Sequence, residues 1–284
     1  MNSGKRSWAA SRALLAPFFL TFGFIFFLPL FFLVGLSFSS SLGIGSRFTL
    51  DNYVKAFSSM FVMKYVWSIV TSAASSLMAV LFGFPVAYFL ARGKGAWTGI
   101  AQISVLVPLF GLTYYAYTLL FSFAEGGIVN YVLVALKLIP EPIDFVMGAN
   151  RTILIIMAMG VTSIPLTSLV MIGAIQGIDP ALEEVSLCCG ANEVQTFRHI
   201  TLGLCKRSLL ASGLLVFGAN IVAFTFPLIL GMGDDRWVAV AILHLATSFL
   251  KYNLTSAVAV VLLAVTSVIS YGYIRLTKGG VGLT

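Results

Sequence analysis

Six apolar stretches, each about as long as the roughly 20 residues that a helix needs to cross the hydrocarbon core of a bilayer, set the limits on what this chain can become. They run at about 13–37, 63–90, 99–123, 152–175, 209–230 and 255–276. With no water in the bilayer core, each backbone N–H and C=O must be paired internally, so such stretches are expected to be helices. Composition closes the soluble alternative: 59% of the 284 residues are hydrophobic and 10% are charged, against roughly a quarter charged in an ordinary soluble domain. The expectation is an all-α polytopic membrane protein with about six transmembrane helices, organised as one membrane domain over residues 1–284.

The first stretch follows Lys5 and Arg6 in the manner of a secretory signal. It is longer than a signal core and no small-residue cleavage site closes it, so it is expected to remain as a first span. Residues 39–60 form a polar connection, and the basic turn Arg92-Gly93-Lys94-Gly95 ends the second stretch. Residues 125–151, with Pro140, Glu141, Pro142 and Asp144, read as a connection containing a short interfacial helix near 129–136.

Orientation follows the Lys and Arg bias at the span ends. With the N-terminus inside, Lys5, Arg6, Arg12, Arg92, Lys94, Arg198, Lys206, Arg207, Arg275 and Lys278 lie inside, ten against seven for Arg47, Lys55, Lys64, Lys137, Arg151, Arg236 and Lys251 outside. Both termini are therefore expected in the cytoplasm. The net charge of +7 does not point to nucleic acid, because these residues sit mostly at the ends of apolar runs rather than on one soluble face. Cys188, Cys189 and Cys205 fall in one cytoplasmic stretch and read as reduced packing residues. No internal repeat is evident, so a pore on the axis between two subunits is simpler than a two-halved carrier in one chain.

The most informative stretch, about 177–207, separates the fourth and fifth spans. Asp179-Pro180 is a helix start: an Asp oxygen accepts from free backbone N–H groups, and Pro at the first helical position gives up nothing. Residues 181–189 hold no helix breaker, and Gly190 stands where a helix end favours a left-handed residue. Asn192 with Gln195 three residues on forms a capping box for a second short helix.

Glu184-Val185-Ser186, three residues, Gly190, nine residues and Ile200-Thr201-Leu202-Gly203 resemble the EAA loop of binding-protein-dependent ABC importer permeases, patterned E-A-A, three residues, G, nine residues, I-x-L-P. The departures are Val185 and Ser186 for two alanines and Gly203 for the proline. Phe48-Thr49-Leu50-Asp51-Asn52-Tyr53, Gly83-Phe84-Pro85-Val86-Ala87-Tyr88 and Pro227-Leu228-Ile229-Leu230-Gly231 resemble the spermidine/putrescine-type branch. The resemblance implies the type I importer permease fold in a bacterial-type inner membrane. It implies a cytoplasmic ABC ATPase pair, a second permease subunit, an external solute-binding protein and membrane lipid as partners. Glu183, Glu184, Gly190, Ile200 and Leu202 are the residues it assigns to ATPase coupling. The chain has no G-x-x-x-x-G-K-[ST] motif, so no cofactor is expected on it, and ATP would be used by a separate subunit.

Polar side chains inside spans are default candidates for a solute pathway. Here they are Thr113, Tyr114, Tyr115 and Tyr117, then Thr162 and Ser163 beside Pro165, then Asn220 and Thr225. The competing role is helix–helix glue for Ser, Thr and Asn and an aromatic belt for the tyrosines. The spans hold no clearly buried carboxylate, and Ala223 stands where polyamine-type relatives often carry an acid, which argues against a polyamine cargo. A carrier or channel without an ATPase would call for intramembrane ionisable residues and would leave the loop unexplained. An intramembrane enzyme is disfavoured because His199 and His244, the two histidines, lie on opposite sides; neither activates a serine in the membrane, and together they form no metal site.

Overall fold

The structure is a computed structural model that describes residues 21–41, 47–93, 95–109 and 111–278. Among the described residues, thirteen α-helices follow in chain order. They are α1 (Thr21–Ser37), α2 (Asp51–Ala56), α3 (Ser59–Arg92), α4 (Ala96–Leu106), α5 (Leu112–Phe123), α6 (Ile128–Ala135), α7 (Gly148–Gln176), α8 (Pro180–Cys188), α9 (Glu193–Thr196), α10 (Leu202–Ile221), α11 (Thr225–Ile229), α12 (Val238–Thr247) and α13 (Tyr252–Lys278). Among the described residues the sole β pairing is an isolated bridge between Ser39 and Phe48. The all-α expectation stands. Among the described residues, five segments are long and apolar enough to cross a membrane, Ser59–Arg92, Leu112–Ala135, Asn150–Gln176, Glu193–Ile221 and Tyr252–Gly272. Helix α1 occupies the expected first span, whose residues 13–20 lie outside the described ones.

Two expected spans are corrected. The third, 99–123, is not one helix: α4 gives way to a single 3-10 turn at Val107–Leu109, and α5 starts after Gly111 at φ +77. Pro108 supplies no N–H to carry the helical ladder on, although Val107 before it keeps helical angles, and Gly111 takes a left-handed conformation that other residues adopt at a cost. The fifth span starts earlier, at Leu202, and stops at Ile221 before the short α11. In an unbroken helix the Pro227 ring would meet the carbonyl of Ala223. Leaving the helix after Ile221 instead puts Pro227 third in α11, where its missing N–H has no partner to lose.

The chain divides into two compact units. In the first, 1–62 with 242–264, the segment after α1 is pinned by side chains. Tyr53 Oη lies 2.7 Å from Ser37 Oγ, and Asn52 Nδ2 donates to the carbonyls of Ser37 and Ser39 at 3.1 and 2.9 Å. Asn253 Nδ2 donates to the same Ser39 carbonyl at 2.7 Å. Phe38 stacks on Phe48, with ring centroids 5.3 Å apart. The Phe48–Tyr53 motif is thus the clamp that closes α1.

The second unit, 63–241 with 265–284, is built on α3, α7 and α10. Small residues let α3 and α7 approach closely: a Cβ placed on Gly83 would stand 2.9 Å from Thr167 Cβ, and Ser168 Oγ donates to the Gly83 carbonyl at 3.2 Å. Among the described residues, two apolar clusters lie in the unit. One gathers Ile155, Met159, Phe226, Leu230 and Trp237; the other gathers Phe84, Met171, Ile175, Ile178 and Cys205 at the Arg92 end of α3.

Candidate functional site: the 177–207 loop and the polar seam

The loop is a folded element rather than a tether. Asp179 Oδ1 accepts from the Ala181 N–H at 3.0 Å and Pro180 opens α8. Gly190 turns the chain at φ +89. Asn192 and Gln195 form the reciprocal capping box at 2.8 and 2.9 Å. A π-helical turn at Phe197–Thr201 leads into α10, and such turns are frequent at functional sites.

The two glutamates of α8 point differently. Glu183 Oε1 accepts from Arg92 Nη2 at 3.1 Å and from Thr201 Oγ1 at 2.9 Å, and Arg92 Nη2 also donates to the Ile178 carbonyl at 3.1 Å. Both side chains of this ion pair are mostly shielded, 19% exposed for Arg92 and 14% for Glu183. Three residues on, Ser186 Oγ lies 3.0 Å from Thr196 Oγ1, so the departure from alanine at 186 gives α8 a polar tie to α9. Ala181, Glu184, Val185 and Cys188 are all exposed, and their i, i+3, i+4, i+7 spacing makes them one helical stripe. Across the turn Val194 is 74% exposed. Leu202 packs with Phe197 against the cluster of Phe84 and Met171, and Ile200 is half-buried. Phe197 lies between Phe84 and Tyr88 of α3, at centroid distances of 5.2 and 4.9 Å.

The expected pathway residues separate into groups. Ser163 and Asn220 meet in a buried seam: Ser163 Oγ donates to Asn220 Oδ1 at 3.1 Å, and Asn220 Nδ2 donates to Ser75 Oγ at 2.9 Å. The seam joins α3, α7 and α10. Thr162 turns back on its own helix, donating to the Ala158 carbonyl at 2.9 Å. Tyr115 packs edge-on against Phe226, and Thr225 next to it is half-buried. Tyr114 is 81% exposed and Tyr117 stacks on Phe121; with Thr113 also exposed, the three tyrosines do not share one face.

At the Lys64 end of α3 lies a charged cluster that sequence reasoning did not assemble. Lys64 Nζ pairs with Asp235 Oδ2 at 2.6 Å, and Asp234 Oδ2 pairs with Arg151 and Arg236 at 2.6 Å each. Arg236 lies over the rings of Trp67 and Trp237, 5.6 and 5.8 Å from their centroids. Burial pushes the Asp234 carboxyl up, but the Arg236 backbone N–H and guanidinium and the Arg151 charge outweigh it and hold the carboxyl below its ordinary range. Val238 N donates to Ser68 Oγ at 2.9 Å, and Trp237 Nε1 to Thr71 Oγ1 at 3.2 Å. These partners stand up to 171 residues apart in the chain, and no local pattern announces them. Among the described residues, no group of His, Cys, Asp and Glu is arranged to hold a metal ion.

Membrane-length helices with a capped helix–turn–helix between two of them define a polytopic α-helical membrane protein. The profile of the family described as "Binding-protein-dependent transport system inner membrane component" matches residues 79–278, and the chain belongs to that family. A ferric transport system permease protein, FbpB, of Actinobacillus pleuropneumoniae is 33% identical over 99 residues, which are 35% of this chain and 14% of that protein. The spermidine/putrescine transport system permease protein PotB of Escherichia coli (strain K12) is 26% identical over 196 residues, 67% of this chain and 70% of that one. The chain thus spans only a small part of the ferric relative's length. In fold it resembles a bacterial alginate ABC transporter crystallised in complex with an alginate pentasaccharide-bound periplasmic protein, with a TM-score of 0.75, 21% identity and 98% of both chains covered.

Proposed function

We propose that this chain is the membrane-spanning permease subunit of an ATP-binding-cassette importer, moving a small solute that an external binding protein delivers across the inner membrane. The observation that carries the reading is the two-sided α8: Glu183 and Ser186 fasten one face to the rest of the unit, and Ala181, Glu184, Val185 and Cys188 leave the opposite stripe open. A short amphipathic helix of this kind fits a groove on a partner. The partner is a cytoplasmic ATPase pair that carries the ATP site, and this chain itself binds no cofactor. The stretch 177–207 then faces the cytoplasm with both termini, and the whole chain acts as one permease domain beside a second permease subunit, embedded in lipid. Gly190 sets the turn, and Ile200 and Leu202 seat the loop on the membrane helices. The pathway candidates Tyr114, Tyr115, Tyr117, Ser163, Asn220 and Thr225 are uncharged, which fits a division of labour in which the external binding protein sets most of the solute selectivity.

A photo-crosslinking amino acid placed at Val185 tests the docking face. Crosslinking to an ATPase from Val185, and none from the same probe at Tyr114, is the expected result. An ATPase recovered with the complex but crosslinked from neither position overturns the assignment of α8.

A further inference from the structure

Arg92 lies outside the EAA-type motif, and it ties the loop to a transmembrane helix by a polar link. It is the last residue of α3, where a cation complements the negative end of the helix dipole. Its Nη2 bridges the connector after α7, through the Ile178 carbonyl, and α8, through Glu183. Glu183 in turn accepts from Thr201 just ahead of α10. A solvent-exposed ion pair would hold little, but this one is shielded on both sides, and removing one partner strands the other charge. One turn away, Phe197 between Phe84 and Tyr88 adds an apolar clamp.

Helix α3 runs over 34 residues without leaving helical geometry, although Pro85 lies inside it two turns before Arg92 and removes one backbone hydrogen bond; at 1.5 Å per residue its contour is about 51 Å. Its far end is fastened too: Lys64 to Asp235 by an ion pair and by a 2.8 Å bond to the backbone carbonyl, Ser68 to Val238 and Thr71 to Trp237. One helix therefore has the loop bound at one end and the 231–238 segment bound at the other.

We propose that Arg92 is the positioning residue that makes α3 a strut, carrying movement of α8 to the 231–238 segment on the opposite side of the membrane. The proposal rests on the permease reading above. Resting on that reading, it separates two properties that a purely structural ion pair would not: docking of the ATPase, which needs the open stripe of α8, and transmission, which needs Arg92.

The test uses the intact complex purified from its own membrane, carrying a reporter cysteine at Met232, itself exposed in the far segment, and subtracts the labelling of the exposed Cys188 and Cys189 measured on the same complex without the reporter. A membrane-impermeant maleimide reads reporter accessibility with and without ATP and vanadate. In the otherwise unaltered complex the nucleotide is expected to change the labelling rate. Arg92→Gln is expected to keep the ATPase bound and hydrolysing while the nucleotide-dependent change shrinks about tenfold, within the usual span of coupling between two sites. Arg92→Lys, which keeps a cation within reach of Glu183, is expected to restore most of it. The proposal is overturned if Arg92→Gln responds like the parent, if the parent reporter ignores nucleotide while ATP is turned over, or if Arg92→Gln loses the ATPase and Arg92→Lys does not regain it. Recovery of no ATPase with the parent chain overturns the permease reading itself, and this proposal with it.

Discussion

Asn220→Ala probes the seam that joins α3, α7 and α10. The substitution removes two interhelical hydrogen bonds, one from Ser163 and one to Ser75. It strands neither partner, because Ser163 Oγ still donates to the Met159 carbonyl at 2.7 Å and Ser75 Oγ to the Ser72 carbonyl at 3.0 Å. Interhelical side-chain bonds in membranes average about 0.6 kcal/mol and reach about 1.7, so two bonds contribute ~1.2 kcal/mol. Lost packing around an amide that is 7% exposed brings the expected destabilisation to about 1–3 kcal/mol. Asn220→Asp is expected to cost more, since a carboxylate at mid-span carries a penalty of roughly 2.5–3.5 kcal/mol and its second oxygen would face the Ser75 hydroxyl without donating. Equilibrium unfolding in detergent, followed by tryptophan fluorescence, measures both. A destabilisation by Asn220→Ala below ~0.5 kcal/mol, the range of an inconsequential surface change, refutes the reasoning, and loss of transport at unchanged stability assigns Asn220 to the pathway instead.

Three further substitutions test neighbouring parts. Because the folded Asp234 carboxyl titrates below its ordinary value, its contribution is complete above the unfolded pKa of about 3.9 and disappears as pH falls through the lower folded value. The melting-temperature gap between the parent and Asp234→Asn is therefore expected to be constant from pH 7 to about 5 and to close below about pH 4. At Gly190, where φ is +89 and an added Cβ meets nothing within 4 Å, Ala adds backbone strain alone, ~1–2 kcal/mol. Hydrogen exchange of the 181–196 amides is expected to accelerate, less so for Gly190→Asn. Gly83→Leu forces α3 away from Thr167 and is expected to cost about 1–3 kcal/mol, read as a lower melting temperature in detergent.

What the sequence made legible was what local chemistry determines. Asp179, Pro180, Gly190, Asn192 and Gln195 act within a few residues of themselves, and the caps and the turn form where their spacing places them. The two broken spans were hidden by averaging: over some 20 residues the flanking apolar residues outweigh Pro108 and Gly111, or Pro227, although these residues are themselves the signal for a break. Which α8 glutamate turns inward depends on how α8 is rotated against α3, and Arg92 and Glu183 are 91 residues apart. The pathway candidates do not share one helix face for a related reason. Residues 114 and 115 lie about 100° apart around a helix, so Tyr115 enters the core while Tyr114 faces out.

Purification of the chain from its native membrane in mild detergent, with its associated proteins identified and their ATP hydrolysis assayed against candidate binding proteins loaded with ferric ion or spermidine, tests the importer reading most directly. An ABC ATPase recovered with the chain, and hydrolysis stimulated by a loaded binding protein, is the predicted result. A chain recovered without any ATPase, conducting or exchanging solute alone in liposomes, would contradict it.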